Sequence, residues 1–437
     1  LQEMMSEERT SLLLRESPTA ATTTSFADTS TDDDNDWEDI LHGPPPSTTR
    51  STLARLFYIL THTVPILLFD AVRLALFVVF LAPAFARFFY YYCFSSDRRV
   101  VSYKKDGGLR HVVDLYGVTS SSSSHTTSST TTTKKPVLIF FTGGAWVIGY
   151  KMWGAFLAKV FAAMNVLVVI PDYPNYPFVT VPEMVDDAEA AIQWTLDTIE
   201  QYGGDPTRVI LAGQSAGGHL ASCVLLRKAL QLIQNQQQPM QGFLPNELAG
   251  FCSISAPSDV QAMATNFQKH GLDTNFVQSL FGCHSERKTN MDDYDPQRLV
   301  EQLERELETN TTDMRTILPP MSIFHGTADQ TVPYEVSEKY AASLQTIGVT
   351  TEYIAYEGWS HTDPILEAIM MADHRFHADL YDRLYQWTGS QSTSTATMQQ
   401  QASSKRVIPL QLDDSIPECQ PLCPTVLVQA ARFCNPF

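Results

Sequence analysis

The stretch Ile210-Leu211-Ala212-Gly213-Gln214-Ser215-Ala216-Gly217-Gly218-His219-Leu220 decides how the rest of the chain is read. A short apolar run from Arg208 to Ala212 ends in G-Q-S-A-G, and helix-forming residues follow at once. That pattern is strand, sharp turn, helix. Such a turn forces its central residue into strained backbone geometry. Glycines two before and two after it, Gly213 and Gly217, let the strand and helix approach without a Cβ clash. The central residue is Ser215, so its Oγ is expected to stand at the edge of a sheet. The N–H of Ala216 then points from a helix N-terminus toward any oxyanion formed there. A Ser/Gly-rich turn can fit G-x-S-x-G by chance, but the flanking patterns favour a nucleophile.

A serine hydroxyl is a poor nucleophile at neutral pH and needs a base, which needs an orienting acid. Past the apolar run 321–325 comes His325-Gly326-Thr327-Ala328-Asp329, and past 351–356 comes Glu357-Gly358-Trp359-Ser360-His361-Thr362-Asp363. Asp329 and His361 therefore stand in the order serine, acid, histidine, each on a loop after a later strand. Blander readings compete with these roles. Asp329 could form an Asx-turn before Val332-Pro333, His361 could be a cap or surface residue, and Asp363 is a rival acid that also suits a helix N-cap. His325 reads as structural, and His219 and His111 as bystanders. Upstream, strand 136–141 runs into Thr142-Gly143-Gly144-Ala145-Trp146. Gly143 and Gly144 supply oxyanion-hole donors opposite Ala216. These pieces specify acyl transfer to water, with no metal and no cofactor required.

Strands expected at 109–116, 136–141, 166–170, 207–212, 250–255, 321–325 and 351–356 alternate with helices at 155–164, 182–202 and from the elbow to about Ile233. That alternation predicts an α/β-hydrolase fold, a mostly parallel sheet covered by helices on both faces. The catalytic domain is placed at 97–390. A largely helical insertion at 256–320 forms a cap over the site, and 391–437 is a linker and tail. Residues 119–133 are Ser and Thr apart from His125, and a Gln-rich loop occupies 234–241; neither composition packs a core.

Residues 1–50 are rich in Ser, Thr and acids, with Asp32-Asp33-Asp34-Asn35-Asp36 and Pro44-Pro45-Pro46, and read as a disordered tail. Residues 51–96 read as a membrane-anchoring segment. They hold two apolar stretches, 56–69 and 74–94, the second interrupted only by Arg87. The second is long enough to cross roughly 30 Å of hydrocarbon at about 1.5 Å per residue. Asp70 and Arg73 separate the two, so the expectation is one span preceded by an interfacial helix, or a hairpin of two spans. A buried helical pair is the alternative. Tyr90, Tyr91 and Tyr92 suit a headgroup belt, and Arg98, Arg99, Lys104 and Lys105 favour a cytosolic body.

The net charge of −18 over 437 residues argues against nucleic-acid binding. The 44% hydrophobic content supports a large core. The seven cysteines show no metal-ligand spacing beyond a loose C-x-x-x-C at Cys419 and Cys423. They read as reduced thiols, with a Cys419–Cys423 disulfide the alternative. Asn310-Thr311-Thr312 is a glycosylation sequon that matters only if the body is lumenal. The terminal Cys434-Asn435-Pro436-Phe437 fits a prenylation box only superficially, since Asn and Pro are not aliphatic.

Three segments together carry a resemblance: Phe141-Thr142-Gly143-Gly144-Ala145-Trp146-Val147-Ile148-Gly149-Tyr150-Lys151, Gly213-Gln214-Ser215-Ala216-Gly217-Gly218-His219, and Gly358-Trp359-Ser360-His361-Thr362-Asp363. They resemble the isoprenylcysteine α-carbonyl methylesterases, membrane-bound α/β-hydrolases of the endoplasmic reticulum and Golgi. Residues 88–99, with the triple tyrosine, and the ending 406–437 extend the likeness. Thr142 is the most telling position, because related lipases and esterases usually carry His-Gly-Gly there. The resemblance implies hydrolysis of the methyl ester of a C-terminal prenylcysteine by Ser215, Asp329 and His361. It adds Trp146, Gln214 and Trp359 as substrate contacts, prenylated cysteine methyl esters and the membrane as partners, and no nucleic acid. Two other readings stand beside it: a general membrane-bound carboxylesterase or lipase, and a non-catalytic α/β-hydrolase-fold binding protein.

Overall fold

A computed structural model describes residues 64–118, 134–234, 240–269, 274–283, 289–389 and 421–435. The expected polar tail, the apolar stretch up to residue 63, the Ser/Thr run 119–133, residues 235–239 of the Gln-rich loop and the linker 390–420 lie outside the described residues. Two compact units, Leu1–Val64 and Pro65–Phe437, divide the chain, and every described residue except Val64 falls in the second.

The chain runs through α1 (Val64–Phe94), β1 (Arg98–Ser102), β2 (Val112–Tyr116), β3 (Lys135–Phe141), α2 (Ala155–Ala163), β4 (Leu167–Pro171), α3 (Val181–Thr198) and β5 (Gly204–Gln214). It continues through α4 (Ala216–Gln234), β6 (Gly250–Ile254), α5 (Val260–Lys269), α6 (Thr274–Leu280), α7 (Pro296–Leu307), β7 (Met321–Gly326), α8 (Tyr334–Thr346) and β8 (Thr351–Tyr356). Three helices close it: α9 (Glu367–Met370), α10 (Arg375–Thr388) and α11 (Thr425–Cys434). Among the described residues the strands form one sheet in the order β1-β2-β4-β3-β5-β6-β7-β8. The β1–β2 hairpin and the β2–β4 pair are antiparallel, and every later pairing is parallel.

Helices cover both faces, so the central strands are apolar on both sides. Val137, Ile139 and Phe141 of β3 enter one core with α3, α4, α7 and α8, whereas Leu138 and Phe140 enter the other with α1, α2, α10 and α11. The chain crosses from strand to helix at the carboxyl ends of β3, β5, β7 and β8, and the candidate site lies there.

Three features differ from expectation. The strand at 109–116 shortens to β2, because residues 108–111 make a turn closed by the His111 N–H on Gly108 O. Arg98 and Arg99, read as a juxtamembrane flank, instead open β1, and the Arg98 guanidinium pairs with Asp114 at 3.4 Å and lies over the Tyr92 ring. Within the 256–320 insertion, α7 lies against the sheet-covering layer rather than standing clear of it, with Leu299, Val300 and Leu303 buried in the first core. Its N-terminus is capped by Asp295, which accepts from the Arg298 N–H.

Helix α1 runs unbroken through Asp70 and Arg73, so no hairpin turn forms there. Neither residue is a helix breaker, and Arg73 donates to the Asn435 carbonyl instead of facing water alone. Phe77, Leu81, Ala84, Phe88 and Tyr92 recur at helical spacing and are buried against the body. The Phe88 ring lies 4.3 Å from that of Phe156. Leu68, Phe69, Val72, Val79, Tyr90 and Phe94 are exposed. Among the described residues one helical span, Ala71–Phe94, is long and apolar enough to cross a membrane, with mean hydropathy 1.9.

Candidate active site

Strand β5 delivers Ser215 at the mouth of α4 with φ of 53°, the left-handed geometry that a sharp elbow requires. Its flanking glycines are needed for space. A Cβ on Gly213 would lie 2.6 Å from the Gly217 carbonyl oxygen, and one on Gly217 would lie 2.3 Å from Phe141 O. The Ser215 N–H donates to Ile254 O at 2.8 Å, pinning the elbow to β6.

Ser215 Oγ lies 2.8 Å from His361 Nε2, and His361 Nδ1 lies 2.7 Å from Asp329 Oδ2. Both histidine contacts are satisfied if Nδ1 carries the proton and Nε2 accepts from the serine hydroxyl. Asp329 Oδ1 accepts from the Thr331 and Val332 N–H groups at 2.9 Å each. The Asx-turn and the contact to His361 are therefore both present, one on each carboxylate oxygen. Burial alone would raise the Asp329 pKa. The field of His361 and hydrogen bonds from His325 and His361 outweigh it and hold the carboxyl well below its usual range.

The structure brings Ser215, His361 and Asp329 together and leaves Asp363 out. Asp363 accepts from the Ser360 N–H at 2.7 Å on one oxygen and from Arg432 on the other, so it braces the loop without touching the imidazole. Gln214 is buried, and its Nε2 donates to the His361 carbonyl at 3.3 Å. Trp359 does not face this point: it is buried in the second core, stacked on Tyr356 at 4.5 Å. Trp146 packs on the helix that follows the elbow, edge-on to His219 at 5.1 Å and to Phe281 at 6.1 Å. His219, which the sequence left as a bystander, is thus a member of this buried aromatic cluster. Burial lowers its pKa to about 4, so the ring is neutral at ordinary pH.

The Gly143-Gly144 loop presses on Ser215. A Cβ at Gly143 would fall 2.7 Å from Ser215 Cβ, and one at Gly144 would fall 2.3 Å from the Gly149 nitrogen. Gly144, Ala145 and Trp146 all have positive φ, at 132°, 49° and 60°. A loop bent this sharply needs outside support. Thr142 Oγ1 donates to Tyr150 O at 3.2 Å, joining the two ends of the loop. Tyr173 OH donates to Thr142 O at 2.8 Å, and Asn175 Nδ2 donates to Val147 O and Gly149 O. Arg110, paired with Asp172, also donates to Gly149 O. Lys151 is buried and paired with Asp114.

Sequence reading did not single out Arg110, Asp114, Asp172, Tyr173 or Asn175. The run Pro171-Asp172-Tyr173-Pro174-Asn175 had a signal, since prolines flank polar residues that a plain turn would not need. His325 was also passed over; its Nε2 lies 3.0 Å from Asp329 Oδ2 and its Nδ1 2.7 Å from Ser337 Oγ.

A parallel sheet with a strained serine elbow, and histidine and aspartate on later strand-end loops, defines an α/β-hydrolase. Over residues 124–344, just over half of its length, the chain matches the BD-FAE family model, and it belongs to that family. It is similar to a probable isoprenylcysteine alpha-carbonyl methylesterase of Oryza sativa subsp. japonica, 34% identical over 66% of this chain and 62% of the relative. A second rice protein of the same description is 31% identical over 67% of this chain and 65% of its own length. The isoprenylcysteine alpha-carbonyl methylesterase of Arabidopsis thaliana is 28% identical over 83% and 76%. The chain thus spans slightly less than two thirds of both rice relatives. Among solved structures, esterase B from Lactobacillus Rhamnosis shares the fold, with TM-score 0.52, 16% identity, and 74% of this chain and 97% of that one covered.

Proposed function

We propose that this chain is a membrane-bound serine carboxylic ester hydrolase that demethylates isoprenylcysteine methyl esters. The observation that carries the hydrolase reading is the unbroken hydrogen-bonded line Ser215–His361–Asp329. His361 Nε2 takes the proton as Ser215 Oγ attacks the ester carbonyl. The resulting oxyanion lies toward the Gly143, Gly144 and Ala216 amides, which stabilise it by dipoles fixed before the reaction begins. Collapse breaks the carbonyl–methoxy bond, and His361 returns the proton to the leaving methanol. Water, activated by the same nitrogen, then hydrolyses the acyl-enzyme to the free carboxylate.

The substrate class is supported by the names of the relatives. Trp146 and Gln214 remain the proposed substrate-side contacts, the latter through its hold on His361. Trp359, buried against Tyr356, supports the loop from behind. Membrane attachment is supported by α1, and we place the protein on endoplasmic reticulum and Golgi membranes with the body cytosolic. The test compares kcat/KM for an S-farnesylcysteine methyl ester with that for acetyl and butyryl esters. A preference of about a hundredfold or more for the prenyl ester, roughly 2.7 kcal/mol of differential binding, is expected. Equal turnover would make the protein a general esterase. On intact membranes Asn310 should carry no glycan, and a glycan there would place the body in the lumen.

A further inference from the structure

The last described segment, residues 421–435, lies far in sequence from the histidine loop and yet holds it from both sides. Asn435 is buried, and its side-chain amide lies 3.1 Å from Ser360 Oγ, 3.0 Å from Thr362 Oγ1 and 2.7 Å from Glu367 Oε1. Ser360 and Thr362 are the two chain neighbours of His361. Arg432 adds an ion pair to Asp363, which in turn accepts from the Ser360 N–H. Leu422 N–H donates to Met370 O at 3.0 Å, fastening the start of the segment to the end of α9. The same segment is tied to α1: Arg73 donates to Asn435 O, and Arg87 to Leu422 O at 2.9 Å. Cys423, Val428 and Ala431 are buried in the core that also holds Phe77, Leu81 and Ala84 of α1.

We propose that residues 421–435 are a brace for the His361 loop, with Asn435 the positioning residue, and that this brace makes α1 part of the catalytic body as well as an anchor. The inference rests on His361 being the base of the proposed reaction. A proton acceptor must hold its place within a fraction of an ångström, and a small displacement imposed from outside the site costs a large factor in rate. From the sheet side the Gln214 amide fixes the His361 carbonyl. From the outer side, among the described residues, the adjoining hydroxyls are held by the Asn435 amide and by Thr362 Oγ1 donating to Glu367 at 2.8 Å. An amide suits this point because Ser360 Oγ, Thr362 Oγ1 and Glu367 Oε1 each offer it an acceptor oxygen. The ionisable groups around it are Glu367, Asp363, Arg432, Arg73 and His361.

The test uses the full-length protein in detergent, with Asn435→Ala and Asn435→Asp compared with wild type on butyryl ester. Rates are expressed per fluorophosphonate-titrated serine, so unfolded protein does not count. For Asn435→Ala we expect kcat to fall about ten- to hundredfold with KM within about threefold, at every pH. For Asn435→Asp the loss relative to wild type should be small at acid pH and grow as pH rises. A protonated carboxyl donates one of the amide's hydrogen bonds, and an ionised one donates none and repels Asp363. Amide hydrogen exchange, which needs no turnover, should rise in Asn435→Ala within residues 358–370. Unchanged kcat per titrated site, or unchanged exchange in that stretch, overturns the brace. A wild-type protein that neither labels nor turns over would sink the hydrolase reading, and the exchange result would still decide the brace.

Discussion

His325 Nε2 lies 3.0 Å from Asp329 Oδ2, the oxygen that also sits 2.7 Å from His361 Nδ1. The same Nε2 is 3.0 Å from Val332 O. Two acceptors on one ring nitrogen require that nitrogen to carry the proton, so His325 is a donor that helps fix the Asp329 carboxylate. His325→Ala removes a hydrogen bond to a buried carboxylate, a loss of about 1.5–3 kcal/mol, or about ten- to hundredfold in kcat/KM at about 1.4 kcal/mol per decade. His325→Gln, which retains an N–H donor, should lose less. Steady-state kinetics on the two variants check the order.

Glu367 is buried, and that burial, followed by the nearby Asp363 charge, pushes its pKa up to about 8. In the unfolded chain a glutamate titrates near about 4.3. The folded state therefore holds the proton more tightly between those values, and this contribution to stability is full at acid pH and lost as pH rises through about 8. Asp329 works in the opposite sense: its depressed carboxyl stabilises the fold above the ordinary aspartate range and loses that effect as pH falls below it. Glu367→Gln should flatten the decline in Tm between about pH 5 and 9, as measured by calorimetry. The same decline in wild type and variant would contradict the assignment.

Asp114 is fully buried between Lys151 and Arg98. Removing one member of a buried pair strands the other charge at a cost of about 3–5 kcal/mol. The two partners are unequal, because Asp114 keeps Arg98 when Lys151 is lost, whereas Lys151 keeps no carboxylate at that distance when Asp114 is lost. Asp114→Ala should thus lower the unfolding free energy more than Lys151→Met, as read from urea midpoints. Since Lys151 follows the Gly143–Gly149 loop directly, both variants should also lower kcat.

The fold was legible because its signals are local. Each parallel strand is an apolar run bounded by turn residues, and the elbow announces itself in five letters. The order Ser215, Asp329, His361 could be read because each sits just past such a run, and the three are adjacent in space. What escaped was pairing at long range: Arg110 with Asp172 across 62 residues, Lys151 with Asp114 across 37, and Asn435 with Ser360 across 75. The pairing of Arg98 escaped for the same reason. A basic pair beside an apolar helix looks like a topology signal, and only the strand opposite shows that Arg98 has Asp114 to pair with. The resemblance put Trp359 among the substrate contacts, yet the chain turns there and sends the indole onto Tyr356.

The central claim is that Ser215 forms an acyl-enzyme with His361 as its base. The most direct measurement is intact-protein mass spectrometry after a fluorophosphonate, run on wild type and Ser215→Ala alongside hydrolysis of an S-farnesylcysteine methyl ester. One adduct on Ser215 in wild type, none in the variant, and a fall in kcat of about 10³-fold or more are expected. Labelling that persists in Ser215→Ala, or hydrolysis unchanged by the substitution, would contradict it.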